Sequence, residues 1–110
     1  MAFDPDLANR IRELTATESG LDEKRMFGGL AFLINGNMAV AATRDGGLMV
    51  RVSRGDSDKL LGRAHAEPMV MGGREMRGWL RIAGPGVKTN RQLQSWVARG
   101  IEYAKSLPPK

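Results

Sequence analysis

With 110 residues, 42% of them apolar and 26% charged, the chain has the size and composition of one globular domain around one core. It has no cysteine and one histidine, which excludes disulfides, thiolate nucleophiles, Cys-ligated metals and any site built from several histidines. The net charge of +5 is uneven, with residues 1–23 at net −4 and residues 24–110, rich in arginine, at net +9; arginines scattered on solvated strand faces are the simpler reading, with an anionic partner as the alternative.

No apolar run follows a basic start, and no stretch approaches the roughly 20 apolar residues of a membrane span. A cytoplasmic protein with no membrane partner is the expectation. In chain order, the first element predicted is a helix. Asp4 caps it, Pro5 suits its first position, and Asp6 complements the positive end of its dipole. Phe3 and Ala8 form a weak staple, and Leu7, Ile11 and Leu14 make the apolar stripe. Gly20 stops it.

A strand follows over Met26 to Ile34, interrupted at Gly28-Gly29, where paired glycines signal a bulge or a close backbone approach. Leu30, Phe32 and Ile34 alternate with Ala31 and Leu33, so both faces are covered. Asn35-Gly36 is a hairpin signal. Met38 to Thr43 returns, and Leu48 to Val52 follows the turn at Asp45-Gly46-Gly47. This is a three-stranded antiparallel meander.

Between Ser53 and Ala66 a short helix is predicted, with Leu60-Leu61 as its apolar side. Met69 to Met71 and Glu75 to Ile82 then form two strands around Gly72-Gly73, and Gly84-Pro85-Gly86 breaks the chain. A long helix closes it, capped by Thr89 or Asn90, with Leu93, Trp96 or Val97, Ile101 and Ala104 on one stripe. Gly100 within it costs up to about 1 kcal/mol against alanine, and close packing on the sheet is the simplest reason for it. The fold class is α+β: a two-layer sandwich with an antiparallel sheet of about five strands and helices on one face, residues 1–110 forming a single domain. The seven methionines mostly fall on strands and read as core fillers, with an adaptable binding face as the alternative.

At this point the chain resembles the N-terminal domain of the TfoX/Sxy family of bacterial competence regulators. The residues that carry the resemblance are Arg25-Met26-Phe27-Gly28-Gly29, the alternating strand after them, the turn Asn35-Gly36-Asn37 and Met38 at the start of the next strand. Trp79 and the closing helix with Trp96 agree, and the resemblance spans about residues 5 to 106. It implies the same helix-covered antiparallel sheet, and a stand-alone N-terminal domain, since the full-length regulators carry a second, helical domain. Where the family usually shows Pro-Phe and an aromatic, this chain has Pro68-Met69-Val70-Met71. The resemblance brings no catalytic residues and no cofactor, and it gives the five-residue motif a structural role.

The chemistry-bearing residues are few. His65 beside Glu67 reads as an exposed structural histidine, and Asp56 and Asp58 as complements to a helix dipole. Gly28-Gly29 leads into a strand, whereas a phosphate loop leads into a helix. No metal site, no cofactor and no enzyme activity are expected. The candidate binding residues are Arg74, Arg77, Trp79 and Arg81 on one hairpin. Strand parity puts Trp79 with Arg77 and Arg81, opposite Met76, Leu80 and Ile82, which would flank an exposed indole with two guanidinium groups. A bulge at Gly78 would reverse its relation to Arg77, and the sequence leaves both arrangements open. The expectation is a non-catalytic regulatory module that binds a protein partner or a second copy of itself, with nucleic-acid binding through the arginine-rich hairpin as the alternative.

Overall fold

In the computed structural model, which describes residues 3–26 and 28–110, Asp4 caps the first helix, α1 (Pro5–Thr15), its Oδ1 accepting the Asp6 N–H at 2.9 Å. Phe3, Leu7, Ala8 and Ile11 bury against the sheet side. Six strands follow, interrupted by one short helix: β1 (Leu21–Met26), β2 (Gly29–Ile34), β3 (Asn37–Ala42), β4 (Leu48–Arg51), α2 (Arg54–Leu60), β5 (Ala66–Met71) and β6 (Arg74–Ile82). A 3-10 turn (Gly84–Val87) leads to α3 (Asn90–Ser106), which Thr89 and Gln92 cap reciprocally.

The strands form one antiparallel sheet in the order β1-β2-β3-β4-β6-β5. The α+β class and the helix-covered antiparallel sheet are as expected. The additional strand is β1, whose sequence Leu-Asp-Glu-Lys-Arg-Met has no apolar alternation because it is an edge strand with exposed side chains on both faces. Gly28-Gly29 therefore sits at the turn between β1 and β2 instead of forming a bulge, with Gly28 at φ +75°. A bulge does occur one strand on. Phe32 pairs with Val40 but Leu33 pairs with Met38, leaving Ala39 as the extra residue.

The core lies between the sheet and the helix layer. Leu30, Phe32, Ile34, Val40, Leu48, Val50, Leu80 and Ile82 meet Leu7, Ile11, Leu93, Val97 and Ile101 there. α3 crosses β3 and β4, and Gly100 sets its distance from them: a Cβ there would strike the Ala39 carbonyl oxygen and lie 2.7 Å from Val40 Cγ1. Among the described residues no methionine belongs to this cluster. Met38 and Met49 are buried, as fillers would be, but in a cluster on the other face of the sheet, because β-branched and leucine side chains fill the helix-covered side.

Among the described residues no helix is long and apolar enough to cross a membrane.

Candidate functional site

The face of the sheet turned away from the helices carries a second apolar cluster. Ala31, Met38, Ala41 and Met49 form its floor, and Met26, Leu33, Met69 and Trp79 pack around them half-buried. Register explains the grouping: Lys24 pairs with Ala31, Ala31 with Ala41, Ala41 with Met49 and Met49 with Arg81. The face is concave beside this row, toward the β2–β3 hairpin, where Leu33 pairs with Met38 and Arg51 with Trp79. The resulting groove encloses about 410 Å³ and is lined by Met26, Leu33, Met38, Met49, Met76 and Trp79. Lys24, Arg51 and Lys110 stand at its margin.

Gly78 decides which residues of β6 join it. At φ +89° it sits in a register break, where Leu80 pairs with Pro68 but Glu75 pairs with Val70. Its N–H donates to Ser57 Oγ at 3.2 Å, and its carbonyl accepts the Val52 N–H at 2.8 Å. Met76 and Trp79, three residues apart, consequently line the same groove. Arg77 points elsewhere and binds Asp58 of α2 at 2.6 Å. Of the four residues singled out from sequence, Trp79 and Arg81 share the open face, Arg77 does not, and Arg74 is exposed at the β5–β6 turn.

Arg81 is held by Asp45 and, at 3.8 Å, by Glu67. Both inner guanidinium groups of the hairpin are thus engaged by carboxylates. The margin of the groove differs, for among the described residues Lys24, Arg51 and Lys110 take part in no ion pair. Arg51 instead lies over aromatic rings, its guanidinium carbon 5.3 Å from the Trp79 centroid and 5.6 Å from that of Tyr103. Lys110 is brought there by the last residues, which cross the β2–β3 hairpin. Its N–H donates to the Asn35 carbonyl at 2.9 Å, and Asn37 Nδ2 donates to the Pro108 carbonyl at 2.9 Å.

Sequence reasoning missed Lys24, Arg51, Met38 and Met49 as groove residues. Their signal was parity: Met49 and Arg51 alternate with the core residues Leu48, Val50 and Val52. Of the motif Arg25 to Gly29, Arg25 lies 5.9 Å from the Phe3 ring centroid, Met26 lines the groove and Gly28 packs on the Arg44 side chain. Gly29 lies so close to the Ala42 carbonyl that no side chain fits. Phe27 lies outside the described residues. His65 is exposed at φ +68° beside Gly86. No group of three or more His, Asp or Glu side chains among the described residues could hold a metal ion.

Comparison with curated proteins finds no match. The family model described as the TfoX N-terminal domain matches residues 13–104, from the second half of α1 to the last turns of α3. That match takes in the sheet and both faces of it, and the chain belongs to the TfoX N-terminal domain family.

Proposed function

We propose that this chain is a non-catalytic regulatory module that docks a protein partner on the open face of its sheet. Its family supports a competence-regulator-like role. The carrying observation is the placement of Met26, Met38, Met49 and Met76 around Trp79 outside the main core. Methionine is costly as a means of specifying a core and useful on a surface that must repack around another molecule. Self-association through this face is disfavoured, because two copies would bring Lys24, Arg51 and Lys110 against their own kind. Nucleic-acid binding by the β5–β6 hairpin ranks behind, since Arg77 and Arg81 are already engaged by Asp58, Asp45 and Glu67.

Selection of random displayed peptides tests the docking reading, with the wild-type protein and a folded Met76→Lys variant as parallel baits. Sequences enriched by the wild type and lost on the variant support it. No enrichment, or equal enrichment on both, removes it.

A further inference from the structure

Resting on that docking reading, we propose that the groove receives an acidic amphipathic helix of a partner protein. Length is the first argument. From Lys24 and Met26 on β1 to Met76 and Trp79 on β6 the groove crosses four inter-strand steps. At about 4.8 Å per step that is about 19 Å, the length of a helix of about 13 residues. Such a helix presents apolar side chains at three or four successive turns, matching Met26, Leu33, the Met38–Met49 floor and the Met76–Trp79 end.

Charge is the second argument. The lining contains three cationic side chains and no Asp or Glu. Asp22 lies at the β1 edge outside it, and Asp45 and Glu67 are engaged with Arg81. Arg51 lies between the Trp79 and Tyr103 rings, its guanidinium carbon 5.3 and 5.6 Å from their centroids. Glutamates flanking the apolar stripe of a docked helix would meet Arg51 at the β4–β6 end, Lys24 at the β1 end and Lys110 beside the β2–β3 hairpin between them. A helix fits better than an added strand, because both sheet edges resist pairing. β1 exposes Asp22, Glu23, Lys24 and Arg25, while β5 carries Pro68 and a register break.

The test is a titration of methionine-methyl-labelled protein with two synthetic peptides of about 14 residues. Both carry leucine at helical spacing, and the remaining positions are glutamate in one and lysine in the other. The glutamate peptide should shift the Met38, Met49 and Met76 methyls. Its Kd should be at least about tenfold lower than that of the lysine peptide, and Arg51→Glu should raise it by about tenfold. Backbone amide spectra establish that the variant keeps its fold. Equal binding of both peptides at the same methyls overturns the acidic-partner inference and leaves the docking reading standing. Absence of methyl shifts with the glutamate peptide while decanoate shifts them also overturns it, in favour of a small amphiphile.

Discussion

Arg51 spans two layers of the molecule, its guanidinium carbon 5.3 Å from the Trp79 ring on the open face and 5.6 Å from the Tyr103 ring of α3. One cation at the end of β4 therefore couples the groove to the helix layer. Arg51→Ala should cost about 1 kcal/mol, the scale of a partly desolvated cation–π contact. Urea unfolding of Arg51→Ala, Trp79→Leu and the double variant forms a cycle. The combined loss should be smaller than the two single losses together, and strict additivity would remove the coupling.

Gly78 holds a left-handed conformation at φ +89°, and a Cβ there would sit 3.1 Å from the Val52 carbonyl oxygen. Gly78→Ala should destabilise the fold by about 1–2 kcal/mol. It should also disturb the groove, because the irregularity at Gly78 is what puts Met76 beside Trp79. Chemical shifts of the Met76 methyl and the Trp79 indole should move together. A variant as stable as the wild type with both signals unmoved would count against this account of β6.

Periodicity made most of the fold legible. Leu48, Val50 and Val52 alternate as a half-buried strand must, Asn35-Gly36 marks a hairpin, and the α3 stripe lies where its spacing puts it. β1 was not legible, because an edge strand exposed on both faces leaves Asp22 to Arg25 free of any apolar pattern. Of the four residues singled out as a binding set, Trp79 alone lines the groove. Parity gave Trp79 and Arg81 one face, but the carboxylates that neutralise the hairpin arginines, Asp45, Asp58 and Glu67, lie 14 to 36 positions away in sequence. Local pattern carries no information about such pairings. The groove was hidden for a related reason: Lys24, Met38, Met49 and Trp79 come together only once the strand order is known.

Gly100 packs against β3, where a Cβ would meet the Ala39 carbonyl oxygen and Val40 Cγ1. In an isolated helix Gly100→Ala would gain up to about 1 kcal/mol of propensity. Here overpacking against a backbone atom should outweigh that gain, leaving a net loss of about 1–2 kcal/mol. Thermal and urea unfolding of the variant measure the sign directly. A stabilised Gly100→Ala would mean that α3 can lift away from the sheet at little cost.

Arg12 donates two hydrogen bonds to Glu23, at 2.9 and 2.8 Å, tying α1 to β1. That hydrogen bonding lowers the Glu23 carboxyl from its ordinary value; burial opposes it, and a still smaller attraction between the charges adds to it. A depressed carboxylate pKa contributes stability that is present above the unfolded-state value and lost as pH falls through the folded one. Because both side chains are substantially exposed, the contribution is under about 1 kcal/mol. Glu23→Gln should therefore be slightly less stable than the wild type at neutral pH, and the gap should close well below the carboxylate range. A gap that persists in acid would assign the effect to packing.

Binding to random DNA and RNA separates the docking reading from the nucleic-acid one. If Arg77 and Arg81 served phosphates, each would have to leave Asp58, or Asp45 and Glu67, to do so. The basic chain should show weak association at low salt that disappears as salt rises, as any net positive surface does. Arg77→Ala/Arg81→Ala should change that association by less than about threefold, because guanidinium groups already held by Asp58, Asp45 and Glu67 make no phosphate contact to lose. Filter binding or fluorescence anisotropy at two salt concentrations gives the comparison. A loss of tenfold or more in the double variant, with a flatter salt slope, would place phosphate contacts on the β5–β6 hairpin and displace the groove as the functional surface.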